Sequence, residues 1–436
     1  MISHEVLERA LNLAQDAEVF HVASRETPAV FEANRLKLME TRETAGVALR
    51  IIKDGRIGFA STTNLEDLGK LVDAAAEVAP FGAEARLEFP SGRRYPPVDV
   101  YDPEVERFSM AEMVHLGQSL IEALRAHHTD VQCDAHVSKG VSTITLLNSR
   151  GGSVSYTRSV FGVHLEGTLV RGTDMLFVGD GQSSCHPVTD TALILESVEQ
   201  QLDLARTVAP PISGSLPVIF TPHGVAGVLI GPLLAAFNGR TVLQGASPLV
   251  GRLGQRIADQ RFSLWDDPTI PYVPGSGMAD DEGVPTRRKA LIDHGVAATF
   301  LYDLQTAAQA GTVSTGNASR SLASTPSPGA SVLVIDEGDV SYEDMVKDVK
   351  EGIIVERLLG AGQGNVLAGD FNANVLLGYR VSDGKIAGRV KDTMVSGNVY
   401  EVLNNLVAIG NKARWLGGGF RTPALYSAGV SVSAKK

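Results

Sequence analysis

The chain has 436 residues, 44% hydrophobic and 20% charged, the balance of a globular protein with length for two or three domains. Its 39 Lys and Arg face 50 Asp and Glu, and the net charge of −11 opposes a phosphate backbone, so nucleic-acid binding is not expected. Two cysteines cannot staple a chain this long, which excludes a disulfide-built secreted fold and fits the reducing cytoplasm.

In chain order, MISHEVLERALNLA lacks a basic start, an unbroken apolar core and a small-residue cleavage site, and is not read as a signal peptide. Residues 3–14 space Val6, Leu7, Ala10 and Leu11 along one helical face behind a Ser cap. Residues 18–24 and 35–60 are strand-like, and Lys53-Asp54-Gly55-Arg56 between apolar runs predicts a tight hairpin. A second helix covers 65–78, and the Pro- and Gly-rich 81–103 reads as a linker. The order then recurs. A helix over 109–127 precedes strands at 131–137, 142–147, 153–156, 160–171 and 175–178, with a turn at 149–152, and a helix over 190–208 closes the unit.

From Leu216 the character changes. A strand at 218–220 meets a helix opened by Thr221-Pro222, further strands are expected at 330–335 and 374–381, and helices at 341–352 and 400–409. The polar run 265–288 holds Asp266, Asp267, Asp280, Asp281 and Glu282 and reads as a long functional loop. The uncharged run 218–237 is interrupted by Pro222 and Pro232, so a buried strand and helix are expected rather than a membrane span. The predicted class is α+β: helix/antiparallel-strand units at 1–103 and 104–211, then a large β-rich domain at 212–436.

Most chemical motifs fail on inspection. Gly181-Gln182-Ser183-Ser184-Cys185 and Gly245-Ala246-Ser247-Pro248-Leu249 both miss the last glycine of a serine-hydrolase elbow. Gly360-Ala361-Gly362-Gln363-Gly364 lacks the dinucleotide pattern and reads as a turn. Cys133, His136, Cys185 and His186 make a zinc set only on paper, because residues three apart on a strand face opposite ways.

One stretch is informative: Thr221-Pro222-His223-Gly224-Val225-Ala226-Gly227-Val228. It is joined by Glu40-Thr41-Arg42-Glu43-Thr44-Ala45-Gly46-Val47, by Gln305-Thr306-Ala307 through Gly316-Asn317-Ala318-Ser319-Arg320, and by Gly369-Asp370-Phe371 through Ser396-Gly397-Asn398. In this order the segments resemble the TldD/PmbA peptidase family, once called modulators of DNA gyrase, over nearly the whole chain. TldD-type members carry a His-Glu-x-x-x-His helix and a later cysteine as zinc ligands, the Glu acting as base on the bound water. Here His223 matches the first His, Gly224 stands at the Glu, Val228 at the second His, and no cysteine lies near Trp415-Leu416-Gly417-Gly418-Gly419.

The chain therefore resembles the PmbA/TldE branch, which lacks the zinc motif. The resemblance implies a cytoplasmic, non-catalytic subunit of a TldD–TldE-type heterodimeric peptidase for unfolded peptides. Zinc would then sit in the TldD-type partner, and this chain would carry no cofactor, metal ligand or catalytic residue. His223, Asn317 and Arg320 are the candidates for contacting peptide, with the 266–282 loop near the same cavity. Polar cover of a helix end is the plainer role for His223. Two rivals stay open: an independently active metallopeptidase, and a homodimeric peptide- or protein-binding protein without hydrolysis.

Overall fold

The computed structural model describes residues 2–435. Seven strands come from the first half: β1 (Asp16–Glu32), β2 (Arg35–Met39), β3 (Arg42–Lys53), β4 (Arg56–Thr62), β5 (Gln132–Asn148), β6 (Ser153–Arg171) and β7 (Asp174–Ser184). The two expected units share a single antiparallel sheet in the order β4-β3-β1-β5-β6-β7, with β2 on the end of β1. The seam is β1 against β5, continuous from Glu18↔Asn148 to Phe31↔Ala135. The hairpin at Asp54-Gly55 has φ of 49° and 74°, the left-handed pair that matches strand twist.

Four helices cover one face. Ile2–Leu11 and Leu68–Val78 bury Val6, Ala10, Leu71 and Val72 against Val19, Leu49 and Ile51. Met110–His127 and Ala192–Leu204 bury Met113, Leu124, Val198 and Leu202 against Val137, Phe161 and Leu165. Ser109 and Glu112 close the expected capping box at the start of the first of these. The opposite sheet face, through Phe20, Ala48 and Leu146, packs on Ala279 of the C-terminal domain.

The C-terminal domain is a closed ring of five strands. β8 (Gly214–Phe220) runs parallel to Glu351–Leu359, which pairs with Asp370–Ser382, then Thr393–Asn398, then Phe420–Ala434, which returns to β8. Leu264–Asp266, Lys289–Asp293 and Leu333–Ile335 extend this sheet. After β8 the chain enters the core as Pro222–Val225, a π turn at Ala226–Ile230 and Gly231–Phe237. The uncharged run is thus a strand and a helix, and among the described residues no helix is long and apolar enough to cross a membrane. The helix expected at 400–409 ends at Asn404, and Leu406–Leu416 is instead a strand beside Phe420–Ala434.

Candidate functional site

Buried Val218, Ile219 and Phe220 deliver the chain to Thr221, whose Oγ1 accepts from the Gly224 N–H and caps the helix. His223 follows Pro222 in this first turn, directed at the junction with the N-terminal sheet. Gly224 lies against the neighbouring strand so closely that a Cβ would stand 2.3 Å from the carbonyl oxygen of Val355. Only a glycine fits that approach. Val228, five residues after His223, lies inside the π turn. Its side chain is 1% exposed in the apolar core.

The imidazole of His223 is held from both sides. Nδ1 is 3.1 Å from Glu356 Oε1, and Nε2 is 3.5 Å from Asp180 Oδ1. Asp180, from β7, also receives Arg414 Nη2 at 2.7 Å and the Gly181 N–H at 2.8 Å. Burial alone would lower the His223 pKa, but hydrogen bonds to Asp180 and Glu356 push it up to about 9. Burial alone would raise Asp180, yet His223 and Arg414 hold it well below the usual carboxylate range. The two carboxylates thus favour the protonated ring at neutral pH, with Nδ1 on Glu356 and Nε2 facing Asp180.

These residues do not fit a catalytic zinc. Of the three expected ligand positions only His223 keeps a donor atom, the second is a core valine and the 415–419 turn has no thiol, and one imidazole does not make a zinc site. Cys133 and Cys185 lie elsewhere, fully buried, and burial pushes each thiol up to about 11.

A cavity lies on either side of His223. One, of about 510 Å3, is lined by Leu193, Tyr342, Glu356, Tyr379, Lys412 and Arg414 among others. The second, of about 340 Å3, opens towards His136, His164 and Arg357.

Asn317 and Arg320 sit elsewhere. The Arg320 side chain is fully buried, its Nη1 donating to Glu18 Oε1 at 2.8 Å and its guanidinium 4.3 Å from the Phe20 ring centroid. Arg50 bridges Glu18 at 3.0 Å and Glu282 at 2.7 Å, and Glu282 Oε2 accepts from the Leu304 N–H. Asn317 Nδ2 donates to Asp266 Oδ2 at 2.7 Å, which also pairs with Lys289 at 2.9 Å. The loop expected to present acids to a cavity instead buries Asp266, Asp280 and Glu282. Burial pushes both Asp280 and Glu282 upward, although three backbone N–H groups donate to Asp280. The Arg320–Glu18–Arg50–Glu282 bonds clamp β1 and β3 to the C-terminal domain, Asn317 bonds within that domain to Asp266 and the Gly329 carbonyl, and neither candidate lines the cavities beside His223.

Sequence reasoning missed Asp180 and Glu356. The available signal was a carboxylate interrupting the apolar strand Ile353-Ile354-Val355-Glu356, and Asp180 between two glycines.

Residues 213–434 match the PmbA/TldA metallopeptidase C-terminal domain, and residues 17–79 match PmbA/TldA metallopeptidase domain 1. A metalloprotease of Methanothermobacter thermautotrophicus is 29% identical over 420 residues, covering 93% of this chain and 89% of that protein. Metalloprotease PmbA of Escherichia coli O157:H7 is 24% identical over 443 residues, covering 94% and 91%. The crystal structure of TldE from Thermococcus kodakarensis superposes with a TM-score of 0.89 at 25% identity, covering all of both chains.

Proposed function

The chain belongs to the TldD/PmbA family of metallopeptidases, and on that premise we propose that it is a non-catalytic, PmbA/TldE-like subunit of a TldD–TldE-type heterodimer acting on unfolded peptides in the cytoplasm. The partner supplies zinc and the base; this chain closes a shared cavity and holds the peptide. The observation that carries the reading is Gly224. A hydrolytic base is needed one residue after His223, and the Val355 carbonyl leaves no room there for any side chain. The core position of Val228 supports the same reading. The likeness to TldE supports the choice of branch.

The chain's own residues then bind and orient. His223, fixed between Asp180 and Glu356, forms a rigid part of the wall shared by the two cavities, and the strand-rich walls offer main-chain hydrogen bonds to an extended peptide.

Co-expression with a His-Glu-x-x-x-His relative tests this. The two should copurify, and the mixture should cut an unstructured peptide in a reaction that a chelator stops. The chain alone should cut nothing and form a homodimer of about twice 46.2 kDa by light scattering. Chelator-sensitive cleavage by the chain alone would overturn the non-catalytic assignment. A complex that binds but never cuts would favour a binding protein.

A further inference from the structure

On the helix-free face of the N-terminal sheet, strand register stacks side chains into two rows. His136, His164 and Gly181 pair across β5, β6 and β7 in one row; Ser138, Gly162 and Ser183 pair in the next. With His223, Arg357 and Leu416–Gly417 they line the groove of about 340 Å3 beside the C-terminal domain. Two glycines keep it open. A Cβ on Gly181 would lie 2.4 Å from His164 Nδ1, and one on Gly162 would lie 3.2 Å from Ser138 Oγ and 3.4 Å from Ser183 Oγ.

The groove's chemistry is one-sided. In a chain of net charge −11, none of the described residues lining it is Asp or Glu. Arg357 Nη2 donates to the Gly179 carbonyl at 2.6 Å, while its Nε is buried without a partner. The nearby acids act from outside the lining: Glu166 Oε1 is 3.1 Å from His164 Nε2, and Asp180 and Glu356 hold His223. The Arg357 guanidinium brings a permanent positive charge to this lining. Arg and His beside serine hydroxyls form a donor set that suits a carboxylate. β7 is the last strand of its sheet; Gln201 and Arg357 occupy the Gly179 backbone groups and Arg389 the Met175 carbonyl, so a ligand reaches the groove across the sheet face at Gly162, Gly181 and Ser183.

We propose that this groove is an anion subsite that takes the carboxylate of an extended peptide, from an acidic side chain or a free C-terminus. The inference rests on the peptide-handling role proposed above and deepens it: the preferred substrates carry acidic segments or free C-terminal ends.

The test is fluorescence anisotropy of the full chain with four labelled unstructured peptides. They differ only in a central Glu or Gln, and in a free or amidated C-terminus. At least one substitution should weaken binding by about fivefold or more, the scale of a hydrogen bond to a charged group. The Glu/Gln pair identifies a side-chain carboxylate, and the acid/amide pair a terminal one. The preference should vanish in His136→Gln/His164→Gln, which alters two partly exposed side chains on the sheet face. If that variant does not fold by circular dichroism, Arg357→Lys takes its place. Equal affinity for all four peptides, no binding, or a preference that survives the variant overturns the proposal. Each of these outcomes is separable from copurification with a TldD-type partner, which tests the subunit role alone.

Discussion

Gly224→Ala adds one methyl group at the position where a hydrolytic relative has its base. The new Cβ would meet Val355 O at 2.3 Å, Val355 C at 3.3 Å and Phe220 Cβ at 3.4 Å. The first of these is about 1 Å inside ordinary contact and involves backbone, which cannot rotate away. Relief requires the helix to move off the strand, straining the Thr221 N–H bond to that same carbonyl, now 3.1 Å. Overpacking of this kind costs about 1–3 kcal/mol, the weakened bond about 1 kcal/mol, and the better helix propensity of Ala returns about 1 kcal/mol. The expected net loss is about 2 kcal/mol, roughly thirtyfold in the folded-to-unfolded ratio. Gly231 is the control: it is in the same helical run and nothing lies within 4 Å of its Cβ position. Gly231→Ala should be neutral or stabilise by up to about 1 kcal/mol. Urea denaturation of both variants reads the difference. A Gly224→Ala protein as stable as the parent would mean that the helix start is not tight. The steric argument for a missing base would then fail.

The His223 imidazole should titrate near 9 by NMR; a midpoint at or below its ordinary 6.5 would refute the two-carboxylate clamp. Because the folded pKa is raised, its contribution is complete below about pH 6.5 and lost as pH rises through about 9. His223→Gln should therefore remove up to about 3 kcal/mol of pH-dependent stability over that window, seen as urea midpoints that no longer fall. Arg50→Met leaves Glu18 and Glu282 buried without their shared partner and should cost about 3–5 kcal/mol by urea denaturation; a loss below about 1 kcal/mol would refute the clamp's importance. Elemental analysis of the chain purified without a metal-affinity tag should find no stoichiometric zinc. One zinc per chain, lost when residues 223–228 are mutated, would contradict the ligand count.

Features set by neighbouring residues were legible in the sequence. Asp54-Gly55 marked its hairpin, Ser109 and Glu112 their capping box, and Thr221-Pro222 the helix that carries His223. The β1–β5 seam was not, because it joins residues more than a hundred positions apart and each strand also reads correctly as part of a separate unit. The run Asp280-Asp281-Glu282 illustrates a second limit. Beside Gly283 it has the composition of a solvated loop, and its burial is made tolerable by Arg50 on Glu282, by three backbone N–H groups on Asp280 and by the Arg320 N–H on Asp281. At the candidate site, the resemblance located His223 and the substitutions after it. Its carboxylate partners come from strands 43 residues before and 133 after, with no local pattern linking them.

The closure of the C-terminal ring has a consequence for biosynthesis. Phe420–Ala434 pairs with β8, Leu333–Ile335, Thr393–Asn398 and Leu406–Leu416, so the last strand made touches four that were made earlier. The N-terminal sheet is complete in sequence at Ser184, but its clamp partners Glu282 and Arg320 come much later. At about 5–20 residues per second, the ribosome needs roughly 10–50 s to pass from Ser184 to the end of that strand. Until the ring that positions Ala279, Glu282 and Arg320 has closed, Phe20, Ala48 and Leu146 lack their cover and Glu18 and Arg50 lack part of their network. A nascent chain stalled before Phe420 should therefore display a finished sheet with one apolar face open, the form on which a chaperone would act.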